Sequence, residues 1–164
     1  MQNAQRNVVS ENGSTGARDE LAIRRNYFTI FVDKHVYGLD VRETQTIFRV
    51  QRMTPVPLTH HEISGLINLR GRIFIAVSLR RRLGIPLSNG GTFETFAIGL
   101  ETGGENFALL VDRVGDVLAL PESARTEMPP HFTGRQSLFT QSLYFFESKL
   151  TPILDVKRLL DFSI

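Results

Sequence analysis

The chain has 164 residues, 41% of them hydrophobic, with 19 Lys and Arg against 17 Asp and Glu and a formal net charge of +2. That is enough chain and apolar content for one domain or two small ones, and so small a surplus lacks the clustered charge of a nucleic-acid-binding surface. The absence of cysteine excludes a disulfide framework, a thiolate nucleophile and a thiolate metal site. No apolar run reaches signal-peptide length in residues 1–26 or membrane-spanning length later, so the expectation is a cytoplasmic protein.

Residues 1–26 are rich in Gln, Asn, Ser, Gly and charge. Such a stretch buries too little apolar surface to offset its ordering entropy and reads as a disordered tail, with order starting at Tyr27. Phe28, Ile30 and Val32 alternate as in a half-buried strand, and Asp33-Lys34 turns the chain back into a second strand through Val41. Arg42 to Thr46 reads as a short helical turn and Ile47 to Met53 as a strand. Thr54-Pro-Val-Pro57 then reads as an extended, exposed connection. Ile63 to Leu69, Gly71 and Arg72 to Val77 give strand, tight turn, strand. Ser78 is placed to cap a helix over Leu79 to Leu83, which Gly84 closes and Pro86 keeps from resuming.

Ser88-Asn-Gly-Gly91 reads as a linker, after which the order recurs. Phe93 to Leu100, a turn at Glu101 to Glu105, Asn106 to Val111, Gly115 to Leu120, Leu143 to Phe146 and Lys149 to Leu154 are the strands of the second half. Asp155 caps a terminal helix over about 156–162. The recurrence is visible in the residues themselves: Arg72-Ile-Phe-Ile-Ala-Val-Ser78-Leu-Arg-Arg-Arg-Leu83 lines up with Lys149-Leu-Thr-Pro-Ile-Leu-Asp155-Val-Lys-Arg-Leu-Leu160. About five short strands per half, with frequent turn signals, describe small β-barrels. The expected division is a first subdomain over about 27–87 and a second over about 92–156, sharing buried surface.

No catalytic constellation assembles. His60-His61-Glu62 is the best metal candidate, yet adjacent strand residues point to opposite faces, and the plain reading is exposed loop histidines. Ser residues lack the Gly-x-Ser-x-Gly setting, and Gly103-Gly104 is a hairpin turn because no helix follows it. Asp33, Asp40, Asp112, Asp116 and Asp155 sit mostly at strand ends as turn formers or caps. Arg80-Arg81-Arg82 reads as a solvated helix face between buried Leu79 and Leu83. No enzyme activity, cofactor or metal is expected. A small barrel binding single-stranded nucleic acid is the alternative, but it requires aromatics interleaved with Lys and Arg on one face, and the 12 Phe fall in apolar runs instead.

One segment does not read as purely structural. Ile63-Ser-Gly-Leu-Ile-Asn-Leu-Arg-Gly-Arg-Ile73 puts Asn68 and Arg70 beside Gly71, presenting a rigid fork of donors at a hairpin end. Here the chain resembles the CheW family of chemotaxis coupling proteins. Tyr37-Gly-Leu-Asp-Val41, Thr54-Pro-Val-Pro57, Gly65-Leu-Ile-Asn-Leu-Arg-Gly-Arg-Ile73, Val77-Ser-Leu-Arg80, Leu110-Val-Asp-Arg-Val-Gly-Asp-Val117 and Pro152-Ile-Leu-Asp-Val-Lys-Arg-Leu159 carry the resemblance in order and spacing over about Tyr27 to Phe162.

The resemblance implies an all-β fold of two pseudo-symmetric SH3-like five-stranded barrels within 27–164. It also implies a non-catalytic adaptor that bridges the cytoplasmic tips of chemoreceptors to the regulatory domain of a histidine kinase, without inserting into the membrane itself. Carried onto this chain, the binding surface comprises Gly65, Leu66, Asn68, Arg70 and Gly71, with Thr44, Thr46 and Val50 nearby. Departures mark a divergent member, of a pilus-motility or other non-flagellar system. Thr46 stands where many members carry Glu, Ser78 replaces the usual Asp, and Ser142 and Tyr144 lie where a glycine-containing turn is common.

Overall fold

The computed structural model describes residues 23–57, 60–87 and 94–163. The expected linker Ser88–Gly91 and most of the expected tail lie outside the described residues. In chain order the elements are β1 (Arg24–Val32), β2 (His35–Asp40), a 3-10 turn (Val41–Glu43), β3 (Thr44–Arg49), β4 (Ile63–Leu69), β5 (Arg72–Ser78) and α1 (Leu79–Leu83). There follow β6 (Phe96–Thr102), β7 (Glu105–Val111), β8 (Arg113–Pro121), a second 3-10 turn (Glu122–Ala124), β9 (Arg125–Thr126), α2 (Arg135–Leu138), β10 (Thr140–Phe146), β11 (Lys149–Leu154) and α3 (Val156–Leu159).

Most expected elements stand within a few residues of where periodicity places them. β1 begins at Arg24, three residues before Tyr27, because Arg24, Arg25 and Asn26 pair with Pro121, Leu120 and Ala119 while their side chains stay in solvent. Such a strand end leaves no hydrophobic alternation to read. The helical turn sits at Val41–Glu43 rather than Arg42–Thr46, fixed by Asp40 Oδ1 accepting the Arg42 N–H at 2.9 Å. β3 ends at Arg49, short of Met53, and the terminal helix ends at Leu159 rather than at 162. Ser142 and Tyr144, which stand where the family commonly has a glycine-containing turn, lie buried within β10, and the turn comes at Glu147 and Ser148. Ser78 caps α1 by accepting the Arg81 N–H, and Gly84 closes it at φ 69°.

The two sheets do not follow the two halves of the chain. One holds six strands in the order β8-β1-β2-β11-β10-β9, the other five in the order β3-β6-β7-β5-β4. Each half therefore lends its opening hairpin to the other: β1–β2 joins β8 and β11, and β6–β7 joins β3 and β5. With equivalent strands substituted, both sheets read third, first, second, fifth, fourth. The division at 27–87 and 92–156 is thus corrected: each barrel is assembled from both halves. Periodicity identifies a strand but not its partner, and these partners are distant in sequence.

The exchange explains the core. Ile30, Val32, Tyr37 and Leu39 pack with Val77, Ile98, Leu100, Leu109 and Leu154 in one cluster drawn from both sheets. On the other face of the same strands, Ala76, Ala97, Ala108 and Leu110 pack with Ile67 and Phe74 inside the five-stranded barrel. β7 is covered on both faces, which is why Phe107 to Val111 is an unbroken apolar run. Tyr27, Leu120, Tyr144 and Ile153 form the corresponding interior of the six-stranded side.

The reading of Arg80-Arg81-Arg82 as a solvated face fails at two of its three residues. Arg81 is exposed, but Arg80 and Arg82 are each only 4% exposed. Arg80 pairs with Asp112 at 2.6 Å and donates to the Pro86 carbonyl at 2.9 Å. Asp112 also accepts the Asp33 N–H, so one carboxylate joins the β1–β2 turn, the end of β7 and α1. Arg82 donates to the carbonyls of Leu159 at 2.9 Å, Arg158 at 3.2 Å and Asp161. Those carbonyls lie at and just past the end of α3, where a guanidinium adds donors that the helix cannot supply. The rings of Phe139 and Phe162 lie 4.6 and 4.8 Å from its central carbon. A one-turn helix has no solvent face of its own, so its charged residues are placed by what surrounds it.

Candidate functional site

The β4–β5 hairpin presents the candidate residues. Arg70 and Gly71 both have positive φ, 53° and 83°, as a two-residue type I′ turn requires. Asn68 Oδ1 accepts the Gly71 N–H at 2.9 Å and so locks the turn with a side chain. Arg70 is exposed and forms no ion pair among the described residues, leaving its donors for a partner. Gly65 has its own reason: at φ 155° it lets the Thr54 carbonyl approach where a Cβ would overlap it. Thr54 and Leu66 then exchange backbone hydrogen bonds at 2.9 and 2.8 Å, pinning the Pro55–Pro57 connection against the edge of β4.

Thr44, Thr46 and Val50 approach from the other edge of the five-stranded sheet. The barrel brings part of this set to the hairpin. Val50 and Phe48 pack in the same cluster as Ile67 and Leu69, the residues leading into the Arg70 turn. Thr46 is half-buried with its methyl over Gly99, where a Cβ would collide with it. Thr44 stays with the 3-10 turn, its hydroxyl 3.5 Å from the Asp40 carbonyl. Gly65, Leu66, Asn68, Arg70 and Gly71 thus form one compact unit, Val50 borders it through the barrel interior, and Thr44 and Thr46 lie along β3.

The electrostatics beside the 3-10 turn differ from those at the hairpin. The Arg42 side chain, at 2.6 Å, holds the Asp40 carboxyl below its ordinary range, while burial raises that of Glu43, with the charges of Asp40 and Asp155 adding to it. His60 and His61 are exposed as expected, and Glu62 is buried against Arg82 and Arg135 at 3.7 and 3.4 Å. No helix among the described residues is long and apolar enough to cross a membrane.

The molecule is a pair of SH3-like barrels that carries an exposed Arg70 on a rigid two-residue turn, the fold of a scaffold family. Residues 26–163 match the CheW-like domain, and the chain belongs to that family. It is 27% identical over 142 residues to chemotaxis protein CheW of Bacillus subtilis, covering 87% of this chain and 90% of that protein. It is 30% identical over 132 residues to chemotaxis protein CheW of Thermotoga maritima, covering 79% of this chain and 83% of that one. The crystal structure of the scaffolding protein TtCheW from Thermoanaerobacter tengcongensis superposes with a TM-score of 0.74 at 27% identity, over 84% of this chain and 93% of that one. The protein is a non-catalytic coupling adaptor of chemotaxis signalling, and the nucleic-acid alternative is not favoured.

The candidate list omitted the interior of the six-stranded side, which opens as a cleft of about 600 Å³ between β8 and the β10–β11 hairpin. The signal was in the repeat itself, which aligns Phe74 with Thr151.

Proposed function

We propose that this chain bridges the cytoplasmic tips of methyl-accepting chemoreceptors to the regulatory domain of a chemosensory histidine kinase, recruited to receptor arrays at the cytoplasmic face of the membrane. The β4–β5 hairpin, with Gly65, Leu66, Asn68, Arg70 and Gly71, is the docking surface, and Thr44, Thr46 and Val50 flank it. The observation that carries the reading is Arg70: a guanidinium held out on a turn locked by Asn68, with no ion pair among the described residues. Such a group fixes register against carboxylates or exposed carbonyls, while half-buried Leu66 and Val50 supply apolar contact. Receptor states that bind the bridged complex differently then bias the kinase between its own states.

The test is capture of the kinase and of a receptor tip from the same cell by wild type and by Arg70→Glu. Since Arg70 is exposed and unpaired, the substitution changes folding stability by less than about 0.5 kcal/mol. Capture by wild type and its loss in the variant are expected. Equal capture by both sinks the hairpin assignment, and an unfolded variant makes Arg70 structural.

A further inference from the structure

The two barrels share one strand order but not one filling. β4–β5 and β10–β11 have the same register with residues 77 apart: Ile67 faces Phe74, and Tyr144 faces Thr151. In the five-stranded barrel Phe74 is 2% exposed and its ring lies 5.9 Å from Phe48, closing the interior. Thr151 fills far less. The six-stranded side accordingly keeps the cleft of about 600 Å³, with Phe31, Leu118, Phe146 and Leu150 among its lining. Phe31 lies over Gly115, where a Cβ would meet its ring, so on this wall the ring packs directly against the β8 backbone.

Beside the cleft runs an unpaired edge. β8 is nine residues long and ends the six-stranded sheet, and among the described residues no strand other than β1 pairs with it. Its outer N–H and C=O groups are the template that strand addition uses. Leu118 on β8 lines the cleft, and Leu150 across it is 45% exposed. Four charged side chains border the same cleft, Arg113 and Lys149 of one sign and Asp116 and Glu147 of the other. None of the four forms an ion pair among the described residues, and Arg113 rests instead on the ring of Phe31, 3.9 Å away. Each rim carries one charge of each sign, Arg113 and Asp116 on β8 and Glu147 and Lys149 at the β10–β11 turn, so an occupant needs an extended backbone, apolar side chains on alternate residues and charges of both signs.

We propose that β8 and this cleft form a second docking surface, which takes an extended apolar segment of a partner protein as an added strand. It is separate from the Arg70 hairpin, so its failure leaves the reading of that hairpin untouched. The probe is a fluorescein-labelled peptide alternating Val and Thr between a terminal Glu and a terminal Lys, titrated with the full-length protein and followed by anisotropy. A second peptide of the same side chains carries methyl groups on alternate backbone nitrogens.

Saturable binding of the first peptide is expected, weakened about tenfold or more by backbone methylation, which removes at least two hydrogen bonds. Thr151→Phe, which gives this barrel the filling of the other, weakens it to a similar degree. Should that variant not fold, Leu150→Lys at the exposed rim reads the same surface. Failure of the wild type to bind overturns the proposal, as does equal binding of the two peptides. Full affinity in a folded Thr151→Phe or Leu150→Lys variant overturns it as well.

Discussion

The β4–β5 and β10–β11 hairpins are one object built twice. Both carry a register shift at the same place, Ile63/Gly65 in one and Thr140/Ser142 in the other. Both turn through two residues of positive φ, Arg70-Gly71 and Glu147-Ser148. Yet Asn68 and Arg70 on the first face correspond to Phe145 and Glu147 on the second. The backbone is set by features the copies share, and the chemistry is set by a few positions at which they differ. A hairpin can reverse its charge and exchange an amide for a phenyl ring without moving its chain.

That comparison can be broken most severely at Arg82, whose counterpart 77 residues on is the fully buried Leu159. Arg82→Leu makes the copies alike, but removes one of the two guanidinium partners of the buried Glu62 carboxyl, leaving Arg135, and takes away the donor to the carbonyls that end α3. The expected loss is about 3–5 kcal/mol, read from urea denaturation. Phe74→Thr tests the interiors in the same way, giving the five-stranded barrel the residue its twin carries at Thr151. A cavity opens beside Phe48 and stability falls by about 3 kcal/mol, with a lower thermal midpoint as the second readout.

The smallest effect has the opposite sign. The parallel pairings of Gly38 with Ile153 and of Ala108 with Ala76 make Tyr37 the counterpart of Phe107. The Tyr37 hydroxyl is buried with no hydrogen-bond partner among the described residues. Tyr37→Phe should therefore leave stability unchanged or raise it by up to about 1 kcal/mol, since it removes only an unsatisfied group. A clear loss of stability in denaturant would show that the hydroxyl has a partner.

These sites also mark what sequence can disclose. Caps and turns were legible because their rules are local: Ser78 and Asp155 ahead of their helices, Gly84 behind one, and Arg70-Gly71 between two strands. The geometry of the Arg70-Gly71 hairpin was legible for the same reason. Arg80 and Arg82 were not, because their burial depends on Asp112 and on carbonyls more than seventy residues away from Arg82. The exchanged hairpins were hidden too, since alternation in Phe28 to Val32 reports a buried face and is silent about which sheet supplies it. The unfilled cleft lay between these cases. Phe74 and Thr151 are aligned by the repeat, but only the strand order shows that they occupy matching interiors.

The hairpin exchange bears on how the protein comes to be made. A nascent chain that has emerged only as far as Leu87 holds β1 to β5 and neither finished sheet: β5 awaits β7, β2 awaits β11, and β1 and β3 await β8 and β6. Folding must wait for distant partners, which raises the loop-closure cost and slows the reaction relative to a chain that closes locally. Meanwhile the strand edges stand open to other chains. Truncation before β6 leaves neither sheet complete, whereas truncation between β7 and β11 leaves the strands of the five-stranded sheet all present and the six-stranded one short of its β10–β11 hairpin.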